Sequence, residues 1–389
     1  MPETMSAGIH PQETKTKFFR SVRPLHLRCG ETLDEFTLAY ETYGELNAAM
    51  DNAILLFHAL TGSQNAAGFT ESVEGVGERW TEECQIGWWD GFIGEGKALD
   101  TSKYFIVCAN YLGGCYGSTG PTTPDPETGI PYGSRFPRIA IADIVDSQVQ
   151  LLDYLGITEL RAAVGASVGG MLALSLATRY TERVDSVIAI GSGMSTPPLQ
   201  RIQNFEQVCA IESDIHFLGG DYYESTPPSQ GLALARMISH KTFVSLSALE
   251  RRARDEIRQP EDDPSFSWYE INRSLESYML HQGRKFVKRF DANTYLRVID
   301  AWQRFDLVSE AKAKSMEDLF SRCRDQRYLI FSIDSDVCFY PDQQAQMARM
   351  LSANGVPNMH ITVHSSKGHD AFLTEPELFT PHLVYALEK

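Results

Sequence analysis

The stretch RAAVGASVGGMLALSLATRY, residues 161–180, decides the fold. Its first seven residues are an apolar run that predicts a buried strand, and the MLALSLATRY that follows has the composition of a helix. Residues 165–169 fit the pattern G-x-S-x-G, which places Ser167 at the turn from strand to helix. Glycines let the two elements close around such a turn, and the helix dipole favours negative charge there. The stretch therefore predicts a nucleophilic serine.

Further apolar runs lie on both sides of this stretch. Continuous hydrophobicity, as opposed to alternation, is typical of parallel strands that are covered on both faces. The runs are ILLFHAL (54–60), YFIVCANYL (104–112), VDSVIAIGSG (184–193), RYLIFSI (327–333) and HITVHSS (360–366). Between two of them, residues 141–157 place apolar side chains on one helical stripe. This alternation predicts an α/β fold with a mostly parallel, doubly wound sheet.

The pattern changes between residues 196 and 307, which are polar and helical in composition and contain breakers such as TPPSQG. Two strand-like runs return after this segment. We therefore predict one catalytic core formed by residues 1–195 and 308–389, with a helical cap, or lid, inserted at 196–307.

Composition limits the possible function classes. The 389 residues include 35 Lys and Arg against 51 Asp and Glu, a net charge of −16, which argues against binding to nucleic acid. No apolar stretch approaches the roughly 18 residues of a membrane span, and the polar N-terminus does not resemble a signal peptide. Seven scattered cysteines without a CxxC pair favour a reducing compartment. We expect a cytoplasmic protein that contacts neither membrane nor nucleic acid.

A serine nucleophile needs a base and an acid that orients the base, and in this arrangement they follow in the order Ser, Asp or Glu, His. His369 lies in a glycine-flanked loop after the last strand-like run, whereas His364 lies within that run and is interpreted as structural. Asp334 and Asp336 both follow the run 327–333, and spacing does not decide between them.

Two backbone N–H groups are predicted to bind the developing oxyanion. One belongs to Val168, the residue after the nucleophile, and the other to a loop that follows an early strand. HALTG (58–62) is that loop, and we assign the second donor to Leu60. No metal site is predicted, because His360 and His364 lie four apart in a strand-like run and do not share a helical face.

Eight segments together resemble the homoserine O-acetyltransferase family of the α/β-hydrolase fold. They occur in the family's order, and the resemblance runs from near Leu25 to near His382, which is almost the whole chain. They are HALTG (58–62), GWWDGFIGEGKALDT (87–101), NYLGGCYGSTGP (110–121), PYGSRFPRIAIAD (131–143), GASVGGM (165–171), ALARMISH (233–240), QGRKFVKRFDANTYL (282–296) and KGHDAFL (367–373).

The resemblance implies transfer of an acetyl group from acetyl-CoA, a co-substrate and not a bound cofactor, to the side-chain hydroxyl of L-homoserine in methionine biosynthesis. Ser167 would carry the acyl group, His369 would be the base, and Asp336 would be the acid of the triad. Arg236 matches an arginine of the family's cap that binds the carboxylate of the acceptor. Asp370 matches a residue of the family that contacts the ammonium group of the acceptor. The resemblance also implies a homodimer through the cap.

This chain departs from the family's pattern at three places. Phe243 occupies a position where the family usually has Tyr, SQNAAG (63–68) lacks a usual histidine, and the acid loop contains DSDVCFYP (334–341). These departures leave open serine or a related alcohol as acceptor. Succinyl-CoA stays open as donor, because acetyl and succinyl differ by one carboxylate and a single cation of the pocket could switch the preference. A hydrolase, in which water replaces the acceptor, is the other alternative. A plain esterase does not need Arg236 and Asp370, so this pair favours transfer.

Overall fold

The computed structural model describes residues 14–255, 268–269, 271 and 273–389. Residues 1–13 of the predicted core, and 256–267, 270 and 272 of the predicted cap, lie outside the described residues. The strands are β1 Lys17–Arg20, β2 Leu25–His26, β3 Thr32–Leu33, β4 Thr37–Tyr43, β5 Ala53–Phe57, β6 Phe105–Ala109, β7 Leu160–Ala166, β8 Val184–Ile190, β9 Arg327–Ile333 and β10 Asn358–Val363.

Eight of these strands form one sheet in the order β1-β4-β6-β5-β7-β8-β9-β10. Six strands pair in parallel with their neighbours: β6, β5, β7, β8, β9 and β10. Strands β1 and β4 are antiparallel and lie at one edge of the sheet. The predicted mostly parallel sheet is therefore confirmed. Strands β5 and β6 end three residues earlier than their apolar runs, because the apolar residues that follow them belong to loops at the carboxyl edge of the sheet.

Helices alternate with the strands of the core and replace them between β8 and β9. The helices are α1 Glu82–Gln85, α2 Ile141–Tyr154, α3 Val168–Arg179, α4 Pro198–Glu212, α5 Ser229–Phe243, α6 Leu246–Asp255, α7 Ser274–Arg289, α8 Ala292–Gln303, α9 Leu307–Glu310, α10 Met316–Ser321, α11 Pro341–Ala353, α12 Ala371–Thr374 and α13 Thr380–Glu388. None of them, within the described part of the chain, has both the length and the apolar character needed to cross a bilayer.

Both faces of the sheet are buried, as the continuous apolar runs predict. Along β5, Leu55 and Phe57 belong to one apolar cluster with residues of α2 and α3, whereas Ile54 and Leu56 belong to a second cluster on the opposite face. Successive side chains of a strand point to opposite faces, so a strand that is apolar at every position serves two cores.

Helices α4 to α8 lie within the predicted cap, with α5 packed between α4 and α7. The connection from α5 to α6 is also tied to the loop that carries His369. The backbone N–H of Ser245 donates to the carbonyl of Lys367 at 3.1 Å, and that of Asp370 donates to the carbonyl of Phe243 at 2.8 Å. The boundaries of the cap at 196 and 307 stay a prediction.

Candidate active site

Ser167 occupies the turn between β7 and α3 in a backbone conformation that residues other than glycine rarely adopt. Its φ is 58° and it is buried, with 5% of its surface exposed. Its N–H donates to the carbonyl of Ile190 at 2.9 Å, which fixes the turn against β8. The turn also requires glycine nearby, because a Cβ on Gly169 would lie 2.4 Å from the carbonyl oxygen of Phe57. The predicted strand-turn-helix context of Ser167 is therefore present.

His369 and Asp336 form a buried hydrogen-bonded pair. Nδ1 of His369 lies 2.6 Å from Oδ2 of Asp336. The other oxygen of Asp336, Oδ1, accepts the N–H groups of Cys338 at 2.7 Å and Phe339 at 3.0 Å. Nε2 of His369 is buried and has no hydrogen-bond partner among the described residues. The imidazole is thus held from one side, with its second nitrogen available for proton transfer.

Charge around His369 raises its pKa above the ordinary value. Burial alone would lower the pKa, but the Asp336 carboxylate, its hydrogen bond and the charge of Asp370 together outweigh burial. The protonated imidazole is therefore stabilised, as a base that must accept a proton from a hydroxyl requires.

Asp334, the alternative acid, has other partners. Its Oδ2 lies 2.9 Å from Nδ1 of His364, and its Oδ1 accepts the N–H of Ser365 at 3.0 Å. The interpretation of His364 as a residue within a strand is wrong, because β10 ends at Val363 and the His364 side chain is 83% exposed. Only Asp336, of the two candidates, contacts His369.

The two predicted oxyanion donors lie near Ser167. Val168 is the first residue of α3, so its N–H belongs to the group that has no partner within the helix. Leu60 lies in a tight turn closed by the N–H of Gly62, which donates to the carbonyl of Ala59 at 3.0 Å. The chain just before this turn packs against the backbone of Gly169, as the short distance to Phe57 indicates. The roles of the two N–H groups stay a prediction.

A cavity of about 320 Å³ lies between the core and helices α5, α6 and α7 of the predicted cap, and we call it the catalytic cavity. Ser167, Leu60 and His369 line it from the core, and Arg236 and Asp370 line it as well. The structure therefore brings the residues predicted for the acceptor to the same cavity as the predicted nucleophile and base.

Arg236 lies on α5 between two aromatic rings. Its guanidinium carbon is 5.5 Å from the ring centroid of Phe243 and 5.1 Å from that of Phe286. Burial lowers the pKa of Arg236, and the nearby Arg289 lowers it further. Burial raises the pKa of Asp370, whereas His369, Arg236 and other cations oppose that rise. No described residue forms an ion pair with Arg236, so a ligand carboxylate would complete its coordination.

Sequence reasoning missed two other arginines of the catalytic cavity, Arg252 on α6 and Arg289 at the end of α7. Arg289 donates to the carbonyl of Thr61 at 3.1 Å and to the hydroxyl of Tyr116 at 3.0 Å, and it lies 3.7 Å from the carboxylate of Glu83. Arg289 stands within QGRKFVKRFDANTYL, so the signal was present but carried no role. Arg252 stands in a run of alternating charge that is typical of a solvated helix.

Two further observations complete the site. His240 lines the cavity in its neutral form, because burial lowers its pKa to about 3, and its Nε2 lies 3.1 Å from the hydroxyl of Tyr278. Within the described ranges, no group of three or more His, Cys, Asp and Glu side chains is placed to hold a metal ion.

Comparisons with known proteins show which proteins this chain is similar to. A family model for the alpha/beta hydrolase fold matches residues 52–376. The chain is 40% identical over 361 residues to a homoserine O-acetyltransferase of Methanococcus vannielii, covering 93% of this chain and 70% of that protein. It is 41% identical over 364 residues to a homoserine O-succinyltransferase of Alkalilimnicola ehrlichii, covering 92% and 90%. The crystal structure of homoserine O-acetyltransferase from Bacillus anthracis superposes with a TM-score of 0.86 at 26% identity, covering 97% and 98%.

Proposed function

The chain belongs to the homoserine O-acyltransferases of the α/β-hydrolase fold, and we propose that it transfers an acetyl group from acetyl-CoA to the side-chain hydroxyl of L-homoserine. The product is the activated amino acid of methionine biosynthesis. A relative named for acetyl transfer and one named for succinyl transfer are 40% and 41% identical to this chain, so overall identity does not discriminate between the donors.

The observation that carries the mechanism is that His369, which is hydrogen-bonded to the buried Asp336, lines the same cavity as Ser167. We infer that Nε2 of His369 takes the proton of the Ser167 hydroxyl while Oγ attacks the thioester carbon. The carbon–sulfur bond then breaks, and His369 returns the proton to the leaving thiolate of CoA. Asp336 stabilises the imidazolium that forms in between and holds the ring in one orientation.

The second half of the reaction repeats these roles with a different nucleophile. His369 takes the proton of the acceptor hydroxyl, the hydroxyl oxygen attacks the acyl-serine, and Ser167 leaves with the proton from His369. In each half, the N–H groups of Leu60 and Val168 are proposed to bind the negative oxygen of the tetrahedral intermediate. Fixed donors at the positive end of α3 need no reorganisation as this charge develops.

Arg236 and Asp370 are proposed to position the acceptor. A guanidinium between two aromatic rings is held rigidly, which suits a bidentate contact to a planar carboxylate. Asp370 directly follows the proposed base, so an ammonium bound there would hold the acceptor close to His369. Phe243 in the same cavity supplies a ring but no hydroxyl, so acceptor binding does not use a hydroxyl at this position.

We also propose that the chain forms a homodimer through the cap. We further propose that the protein is located in the cytoplasm. Apolar side chains of α4 and α5 are exposed in the single chain, which supports a covered face: Leu199, Ile202, Phe205 and Leu234. All seven cysteines are free, which supports a reducing compartment. Light scattering tests the dimer, and Phe205→Glu is expected to give a monomer.

Thiol release tests the proposed function. Acetyl-CoA and succinyl-CoA are each supplied with L-homoserine, L-serine or no acceptor. Release that depends on homoserine and is faster with acetyl-CoA is the expected result. Faster release with succinyl-CoA or with serine would keep the acyl-serine but change the assigned substrate. Equal release without an acceptor would identify a hydrolase and contradict the proposal.

A further inference from the structure

The catalytic cavity carries more positive charge than the proposed acceptor needs. Its charged lining residues, among those the structure describes, are three arginines and two carboxylates: Arg236, Arg252, Arg289, Glu83 and Asp370. The surplus is notable because the whole chain has a net charge of −16. A cation in a cavity has a high desolvation cost unless a partner or a ligand compensates it.

Four of these five charges have a partner or a proposed ligand. Arg289 is 3.7 Å from Glu83 and also donates to a carbonyl and a hydroxyl. Arg236 and Asp370 would bind the carboxylate and the ammonium of a zwitterionic acceptor. The acceptor is neutral overall, so it uses one cation and one anion of the protein and leaves Arg252 uncompensated.

Arg252 makes no hydrogen bond and no ion pair with any described residue, although it is only partly exposed on α6. Its charge acts inside the cavity, because it opposes the rise in the pKa of Asp370 and helps to lower the pKa of His240. The neighbouring Arg254 differs, since it is exposed and its Nε donates to the carbonyl of Glu250 at 3.3 Å. Arg251 donates to the hydroxyl of Ser366 at 3.4 Å and does not line the cavity, so Arg252 is the guanidinium of α6 that is available to a ligand there.

We propose that Arg252 binds an anionic group of the acyl donor. The proposal rests on the proposed function and adds a residue that determines donor specificity. An acetyl group is neutral, so the anion is either a phosphate of CoA or the terminal carboxylate of a dicarboxylic acyl chain. Both are oxyanions that a guanidinium binds through paired N–H groups.

The test compares four thioesters: acetyl-CoA, succinyl-CoA, and the acetyl and succinyl thioesters of pantetheine, which lacks phosphate. kcat/KM for each donor and KM for homoserine are measured for the wild type, Arg252→Ala, Arg252→Lys and the matched control Arg254→Ala. Loss of a charge-assisted hydrogen bond corresponds to a decrease of roughly 10- to 100-fold in kcat/KM. We expect this decrease in Arg252→Ala, partial recovery in Arg252→Lys and no change in Arg254→Ala.

The pattern over the donors identifies the anion. A decrease for both succinyl thioesters and for neither acetyl thioester identifies the acyl carboxylate. A decrease for both CoA thioesters and for neither pantetheine thioester identifies a phosphate. Unchanged kcat/KM for every donor would overturn the proposal. A raised KM for homoserine alone would also overturn it, because Arg252 would then affect acceptor binding through Asp370.

Failure of the proposed function would be visible separately, as wild-type protein that transfers no acyl group from any of the four thioesters. Calorimetry with CoA and with succinate then tests Arg252 directly. At least tenfold weaker binding of one of them to Arg252→Ala would support the proposal, and equal binding of both would overturn it.

Discussion

The core and the cap contribute to the catalytic cavity in different ways. The core supplies Ser167, His369 and Asp336, whose positions are fixed by backbone contacts and by a 2.6 Å hydrogen bond between side chains. The predicted cap supplies Arg236 and Arg252, which form no ion pairs with any described residue. We therefore propose that the core holds the groups that react with one another, whereas these two arginines bind charged groups of the substrates.

This difference separates two kinds of experimental effect. A change to a triad residue of the core should reduce the rate of the chemical steps for every substrate. A change in the cap should alter the binding of one substrate and leave the chemistry of the others intact. The following substitutions test that separation, from the largest expected effect to the smallest.

Ser167→Ala should abolish acyl transfer, with kcat reduced by about 10⁴-fold or more, because no acyl-serine can form. The free energy of unfolding should change by less than about 1 kcal/mol, since only one oxygen atom is removed. Thiol release and urea unfolding measure the two effects. The matched control is Ser186→Ala, which removes a buried hydroxyl from β8 outside the cavity and should keep wild-type turnover. Turnover above 10% in Ser167→Ala would contradict the mechanism.

Asp336→Asn should reduce kcat by roughly 10³- to 10⁴-fold, because the imidazolium loses its counter-charge. The pH dependence gives a sharper readout. Activity rises with pH as His369 loses its proton, and Asp336 raises the pKa of His369 in the wild type. The acid limb of kcat/KM should therefore move to lower pH in the variant. An unmoved limb would mean that another group titrates. Asp334→Asn, which removes the partner of His364, is the control and should leave the limb in place.

Arg236→Ala should raise KM for homoserine about 10- to 100-fold while KM for acetyl-CoA changes little. The reason is that the carboxylate of the acceptor loses its partner but the donor does not. Steady-state kinetics with each substrate varied in turn measure this difference. Lys241→Ala, which removes an exposed cation from the same helix, is the control. Equal increases in both KM values would place Arg236 outside acceptor binding.

Glu310→Gln should alter stability without altering activity. Burial raises the pKa of Glu310 to about 7, and its carboxylate accepts the Ser175 hydroxyl at 2.7 Å and the Ala142 N–H at 3.1 Å. A carboxyl group with a raised pKa stabilises the fold fully below its unfolded pKa and loses that contribution as pH rises through about 7. The wild type should therefore lose about 1 to 3 kcal/mol of unfolding free energy between pH 5 and pH 8 at this group.

The variant should lack this part of the pH dependence, as urea unfolding at both pH values would show. His369 contributes with the same sign in wild type and variant, so the difference between the two isolates Glu310. An identical pH dependence in the two proteins would contradict the assignment.

The sequence predicted the parallel part of the sheet better than its antiparallel edge. Strand β9 has the bounds of its apolar run, because buried parallel strands leave an unbroken hydrophobic signal. Strand β4 leaves no such signal, since Glu41 interrupts it. That carboxylate is buried and accepts hydroxyl groups of Thr16 at 2.8 Å and Thr70 at 3.0 Å, which no local pattern reveals. Tertiary hydrogen bonds override the local pattern there.

The same limit applies to the site. The strand-turn-helix signal is local, so Ser167 could be predicted from its own surroundings. Spacing alone left Asp334 and Asp336 undecided, because the choice depends on which histidine each one meets across the loops. Arg252 was missed because a charged helix has the same composition whether it faces solvent or a cavity. Residues that act through packing between distant segments are therefore the ones that sequence patterns miss.

The two backbone hydrogen bonds between the α5–α6 connection and the loop of His369 have a consequence for the lifetime of the covalent intermediate. They join the α5–α6 connection, which lies over the cavity, to the loop of the proposed base. We expect a displacement of this connection that admits bulk water to move the imidazole of His369 away from Ser167 as well. Water would then arrive when the group that activates it is out of position, which would keep hydrolysis slow. This link would favour transfer over hydrolysis in addition to the shape of the acceptor pocket.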